Sequence, residues 1–424
     1  MRRTPPWGTT SVPWGWGRMR RLPFAFLWIF VFVIPIEETV SVAGFGSIAR
    51  IAGIGTFAVG LLHILMRGTV RPLSWFHIFA IAFCIWASIT LLWTIAPEDS
   101  QGRLQTYVQL TLLVWLMWEL AATHASQLSL LQAYVLGAGV AALSTLHSYL
   151  SGTSLDPGRY AGFDYNANVL GLTLVLSLPM AWYLSLCRSR LAWINRLYVP
   201  VGVIAILLTA SRAAFFAGTV ALLLIPWSLQ RVPVWTRVAV CAGVVGFFLL
   251  ALQFIPQTSW DRILTTRSEI ETGRIGGRGE IWKAGVRVFT QHPVAGVGVG
   301  AFAAAVEPTL GPRVSPHQTF LAVLVEQGVI GLTLFISMFV AVLLSIQHLS
   351  SPHRQFWIVL SLALAVVLFP APWDYRKQLW FVLGVLACQG ATPLLSRAAH
   401  GKRPNLTRGP ESRAEIPGHA RVGR

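Results

Sequence analysis

Acidic residues are scarce in this chain. Its 424 residues hold 16 Asp and Glu against 33 Lys and Arg, and all charged residues together make up 12%. That is about half the share usual in a soluble domain, so a water-soluble globular enzyme is excluded. Polar stretches of any length are also rare, and only one, residues 256–316, interrupts the body of the chain. Cysteine is limited to Cys84, Cys187, Cys241 and Cys388, each in or at the end of an apolar run. They read as small hydrophobes, which excludes a disulfide framework and a thiolate metal centre. The strict apolar–polar alternation of a membrane β-barrel is missing as well.

What is present is hydrophobic: 54% of the residues, with a mean hydropathy of +0.61. The apolar residues come in continuous runs of about 20, the length a helix needs to cross the hydrocarbon core. The expected fold is therefore an all-α polytopic integral membrane protein. Helices are expected over residues 22–39, 50–66, 73–95, 104–122, 128–150 and 169–186. The run 197–229 is too long for one span, and T-A-S-R at Thr209–Arg212 splits it into helices seven and eight. Runs 238–255, 319–346, 356–369 and 379–395 complete a count of about twelve transmembrane helices. The long polar loop lies between helices nine and ten.

The formal charge of +17 does not make this a nucleic-acid binder, because the basic residues recur in alternate connectors instead of lining one soluble face. Connectors after even-numbered helices carry R-G-T-V-R, C-R-S-R, Q-R-V-P-V-W-T-R and H-L-S-S-P-H-R, whereas P-E-D-S, D-P-G-R and F-D-Y mark the odd exits. The positive-inside bias places both termini in the cytoplasm, with a basic N-terminus at 1–21. The first helix follows with no small-residue cleavage site after it, so it is expected to be retained. Spans at 22–255 and 317–395 then flank a loop, 256–316, on the opposite, periplasmic side. The tail 396–424 is rich in Arg, Pro and Gly, and is expected to be disordered and able to touch anionic membrane lipids.

Within the loop, Ile281, Trp282, Gly285, Val286 and Phe289 fall on one side of a helix, and Glu280, Lys283 and Arg287 on the other. This predicts a short amphipathic helix along the membrane surface, ended by Pro293. G-V-G-V-G at Gly296–Gly300 lacks the strand, helix and downstream acid of a dinucleotide fingerprint. It reads as a flexible turn that allows close backbone approach.

Several segments are similar to a known family. T-A-S-R-A-A-F-F-A-G resembles a short helix-junction motif ending in Ser-Arg, and G-G-R-G-E-I-W-K-A-G resembles an R-x-x-x-W start of a periplasmic helix. His317 and Gln318, nine residues and then G-V-I-G resemble a His-[Asn/Ser/Gln]-x9-Gly-x-x-Gly pattern. G-R-Y-A-G-F-D-Y-N-A-N resembles an N-P-N turn before helix six, with Ala167 in place of the proline, and D-Y-R-K-Q-L-W resembles the start of a last helix. These are the motifs of the O-antigen ligase and polymerase superfamily of membrane glycosyltransferases, and the resemblance spans roughly Gly158 to Trp380.

The resemblance implies a metal-independent enzyme without cofactor that moves a glycan from an undecaprenyl-diphosphate carrier to an acceptor hydroxyl at the periplasmic face of the bacterial inner membrane. O-antigen ligation to lipid A-core is the leading expectation, and chain polymerisation the alternative. No DxD or Cys/His cluster stands in the outward connectors to hold a metal. Arg212 and Arg278, with Arg159 as a weaker third, are expected to bind the diphosphate, because guanidinium offers a planar fork to phosphate. His317 is expected to serve as general base and Gln318 to contact substrate, with Glu280, Trp282, Glu326 and Asn168 in support. Asp261, Glu280 and Glu307 are alternative bases. A transporter or flippase is the rival class, but the runs hold few charges and show no internal repeat.

Overall fold

Each apolar run folds as helix. The computed structural model describes residues 18–37, 41–42, 46–154, 158–162, 165–187, 190–228, 233–253, 278–347 and 349–401. The helices are α1 (Arg18–Val33), α2 (Ile48–Arg67), α3 (Trp75–Ile89), α4 (Pro97–Leu120), α5 (His124–Leu150), α6 (Ala167–Leu186), α7 (Ala192–Leu208) and α8 (Arg212–Leu222). They continue as α9 (Leu224–Ser228), α10 (Val234–Gln253), α11 (Arg278–Gln291), α12 (Phe302–Leu310), α13 (Thr319–Ile346), α14 (Ser351–Leu368) and α15 (Lys377–Gly401). The only sheet among the described residues is a two-residue antiparallel pairing, β1 (Ser41–Val42) with β2 (Gly46–Ser47).

Among the described residues, five segments are long and apolar enough to cross a membrane: Ile48–Arg67, Trp75–Leu92, His124–Leu150, Ala167–Leu186 and Thr319–Ile346. Leu22–Ile36, Ala192–Leu208, Arg212–Ser228 and His353–Leu368 are shorter apolar helices. The chain is thus a multi-pass helical membrane protein. Its lipid-facing surface carries Leu65, Leu62, Ile54, Ile85 and Leu344, all exposed, as expected where the solvent is hydrocarbon.

Helix ends differ from the expected ones where capping chemistry extends a helix beyond its apolar run. α4 starts at Pro97 in its first turn, with Glu98 and Asp99 behind it, a favourable N-terminal arrangement. Arg103 is therefore helical and not part of a connector. Thr123 closes a capping box that starts α5 early. α15 runs to Gly401, so the tail boundary expected at 396 falls inside a helix. Within the polar loop the described residues begin at Arg278 and form α11 and α12, while the expected base Asp261 lies outside the described residues.

α6 forms the centre. It packs against α5, α7, α8 and α14, and almost every side chain from Leu170 to Leu184 is buried. Lipid tails are as apolar as Leu, so such contacts rest on close fit. A Cβ added at Gly171 would stand 2.8 Å from both Ala214 Cβ and Thr209 Oγ1. That contact seats the T-A-S-R junction against α6. Outside this core, Ala284, Val288, Val297, Ala301, Phe302, Val306 and Val325 form a second cluster joining α11, α12 and α13. The apolar face of α11 is thus packed against protein at Ala284 and Val288, and Val286 points outward, 50% exposed.

Candidate functional site

Three separate elements converge on one corner. Ser211 caps α8 by accepting from the Ala214 N–H, which starts the helix at Arg212. Ala210 just before it has φ +51°, a left-handed conformation unusual for alanine. Arg278 opens α11 and donates from Nη1 to the Pro370 carbonyl at 3.1 Å. His317 precedes α13, also left-handed at φ +47°, while Gln318 caps that helix with its side-chain oxygen on the Leu321 N–H. Such backbone strain persists only where surroundings enforce it. Here the indole of Trp282 donates to the Pro316 carbonyl at 3.2 Å, and Thr319 Oγ1 donates to the Ala371 carbonyl at 2.6 Å. The segment bearing His317 is held from both sides.

The electrostatics tie the three together. Burial, and then the charge of Arg212, push the Arg278 guanidinium below its ordinary pKa. Burial, and then the charge of Arg278, push the His317 imidazole down in the same way. Both influences favour the unprotonated imidazole, the form that can accept a proton. Among the described residues no carboxylate stands within ion-pair distance of Arg278. A partly buried corner with cations of one sign is suited to an anion that accepts from several donors, as a diphosphate does.

The remaining expected residues separate into those near this corner and those away from it. Arg159 donates from Nε to the Thr209 carbonyl at 3.2 Å and from Nη2 to Asn168 Oδ1 at 2.8 Å. It thereby fastens the turn before α6 to the junction before Arg212. Glu280 forms an exposed pair with Lys283 at 2.9 Å, and Glu307 pairs with Arg313 at 3.2 Å, so both carboxylates are already committed on the surface. Glu326 is buried, and its Oε2 accepts from the Gly300 N–H at 2.8 Å.

The glycine run is locked, which corrects its reading as a flexible turn. Gly328 breaks α13 with φ +67° and ψ −169°, leaving backbone groups without helical partners. Residues 293–298 supply them: the Val297 N–H donates to the Val325 carbonyl at 3.1 Å, Gly298 N–H to Glu326 at 2.9 Å, and Val329 N–H to the Pro293 carbonyl at 2.9 Å. Trp86 Nε1 adds a bond to the Gln327 carbonyl at 2.9 Å. At Gly298, φ is +112° and a Cβ would meet Thr94 Oγ1 at 2.3 Å, so no other residue fits. What the run approaches closely is its own chain.

Sequence reasoning missed a buried charged group beside this break. Arg103 Nη1 stands 3.0 Å from Asp374 Oδ2 and 3.9 Å from Glu326 Oε2, and its Cζ lies 3.8 Å over the Tyr375 ring. The Tyr107 hydroxyl also donates to Asp374 Oδ2, at 2.6 Å. Among the described residues no three of His, Cys, Asp and Glu stand together as a metal-ligand set.

Comparison with curated proteins finds no match. Residues 197–336 match the family model described as O-Antigen ligase. The matched segment, about a third of the chain, runs from α7 through the Ser-Arg junction, Arg278 and His317 to the broken helix α13, and over that segment the chain is similar to the O-antigen ligase family.

Proposed function

We propose that the protein transfers a glycan from an undecaprenyl-diphosphate carrier to a hydroxyl of lipid A-core at the periplasmic face of the bacterial inner membrane. His317 takes the proton from the acceptor hydroxyl, whose oxygen attacks the anomeric carbon. The bond from that carbon to the diphosphate breaks, and its electron pair leaves on the lipid diphosphate. Arg212 and Arg278 hold the donor and stabilise the charge that grows on its leaving oxygen. Arg159 and Asn168 set the junction that carries Arg212, while Trp282 and Gln318 set the backbone that carries His317. No metal or cofactor takes part.

The observation that carries this reading is the meeting of α11 with the start of α13, where Arg278 donates to the Pro370 carbonyl and Thr319, two residues after His317, to the next carbonyl, with the charge of Arg212 acting on Arg278. The experiment supplies purified protein in nanodiscs with an undecaprenyl-diphosphate oligosaccharide, offering lipid A-core, lipid-linked glycan or free glycan as acceptor. Transfer to lipid A-core is expected. Transfer to the lipid-linked glycan alone would make the protein a chain polymerase, and no transfer to any acceptor would overturn the reading.

A further inference from the structure

The buried network around Arg103 has no part in the chemistry above, yet it touches both walls of the site. Asp374 closes a turn, 369–376, that Arg103 pins through the 3.0 Å ion pair and Trp380 through an indole bond of 2.7 Å to the Asp374 carbonyl. The other half of that turn faces the transfer site. Pro370 is the carbonyl that accepts from Arg278, and Ala371 is the one that accepts from Thr319. Thr319 Oγ1 in turn accepts from the Trp373 N–H at 3.0 Å. One turn therefore sets both the guanidinium of Arg278 and the helix start two residues after His317.

The second arm of the network reaches the opposite wall. Glu326, 3.9 Å from Arg103, accepts from the Gly300 N–H. The chain then enters α12 at Phe302, whose ring would stand 3.0 Å from a Cβ added at Gly285 of α11. Arg278 sits on that same helix. A cation shared between two buried acids costs desolvation that plain apolar packing would not, so stability alone is a weak reason for its presence.

We propose that Arg103 is a positioning residue of the transfer site, holding the 369–376 turn and the broken helix α13 in the register that sets Arg278 beside His317. This rests on the reading of His317 and Arg278 given above.

The test uses full-length protein carrying Arg103→Met, Glu326→Gln and Asp374→Asn together, which leaves no unpaired charge, and separately Arg103→Lys. The first readout needs no substrate: the rate at which diethyl pyrocarbonate modifies His317, followed against pH by mass spectrometry. With Arg278 no longer held beside it, His317 in the triple variant should titrate higher, towards the ordinary histidine range, and Arg103→Lys should fall between. Transfer per folded molecule should drop about 100-fold in the triple variant, the scale of a displacement of about 1 Å, with undecaprenyl diphosphate still bound. A wild-type His317 titration in the triple variant would overturn the proposal and leave the network a structural clamp. Should the triple variant fail to fold, an unshifted His317 in Arg103→Lys would overturn it equally. Absence of glycan transfer by the wild-type protein would instead overturn the transferase reading, with the His317 titration still deciding on Arg103.

Discussion

Two sets of arginines stand at helix ends in this chain, and their neighbours differ in sign. In the connector between α2 and α3, Arg67 pairs with the buried carboxylate of Glu119, which also accepts from the Arg71 N–H at 2.7 Å. The Arg71 side chain donates to the Trp118 carbonyl and lies over the Trp118 ring, with Cζ 4.0 Å from its centroid. These cations are neutralised and stacked, and they clamp the α2–α3 connector to α4. Arg278 instead has a carbonyl as its acceptor, and Arg212 and His317 as its electrostatic neighbours. The residue type and the place at a helix end are the same in both regions. What distinguishes a structural arginine from one offered to an anion is whether a carboxylate already occupies its fork.

The widest contrast expected between the two regions is in access. With the native cysteines replaced, Gly311→Cys should react with a membrane-impermeant thiol reagent in intact spheroplasts, and Thr69→Cys should not. Reaction at Thr69 would reverse the assigned sides. The next contrast is in transfer. Arg278→Lys and Arg212→Lys keep the charge but lose the fork, so transfer should fall about 100-fold, the scale of losing one donor to a developing anion, and donor affinity should fall with it. Arg71→Lys should transfer at the wild-type rate per folded molecule. A third contrast is in stability: Glu119→Ala strands the arginines around it and should cost about 3 kcal/mol, read from thermal unfolding in detergent, with specific activity unchanged.

The smallest expected effect is a displaced pH limb. A base works unprotonated, and His317 is held below the ordinary histidine pKa of about 6.5. Transfer should therefore rise with pH through a midpoint below that value, and a midpoint above it would separate the limb from His317.

Much of this organisation was legible in the sequence because its signals are local. Apolar runs of membrane-crossing length gave the helices, and T-A-S-R marked the junction because a polar group inside an apolar run has to sit at a break or a membrane face. Arg212, Arg278 and His317 were singled out by motifs within short segments, which is as far as the sequence carries the candidate site. The Arg103 network was not, because Arg103 and Asp374 are single charges at helix ends far apart in the chain, and each alone reads as an interfacial residue. The role of G-V-G-V-G was half legible. Its glycines announced close approach, but the partner, the break at Gly328, lies elsewhere in the chain and only the fold brings it near. The pairing of Glu280 with Lys283 was open to the sequence, because residues three apart on a helix face one another.

In the proposed mechanism an uncharged His317 draws the proton from the acceptor while the arginines hold the donor. The most direct test is single-turnover transfer by His317→Ala, with binding of the undecaprenyl-diphosphate oligosaccharide measured on the same preparation. Donor binding is expected at the wild-type level, with transfer lower by about 10² to 10⁴-fold and the rising pH limb lost. Near-normal transfer at saturating donor, with only weakened binding, would contradict it and make His317 a residue that grips the donor instead of one that activates the acceptor.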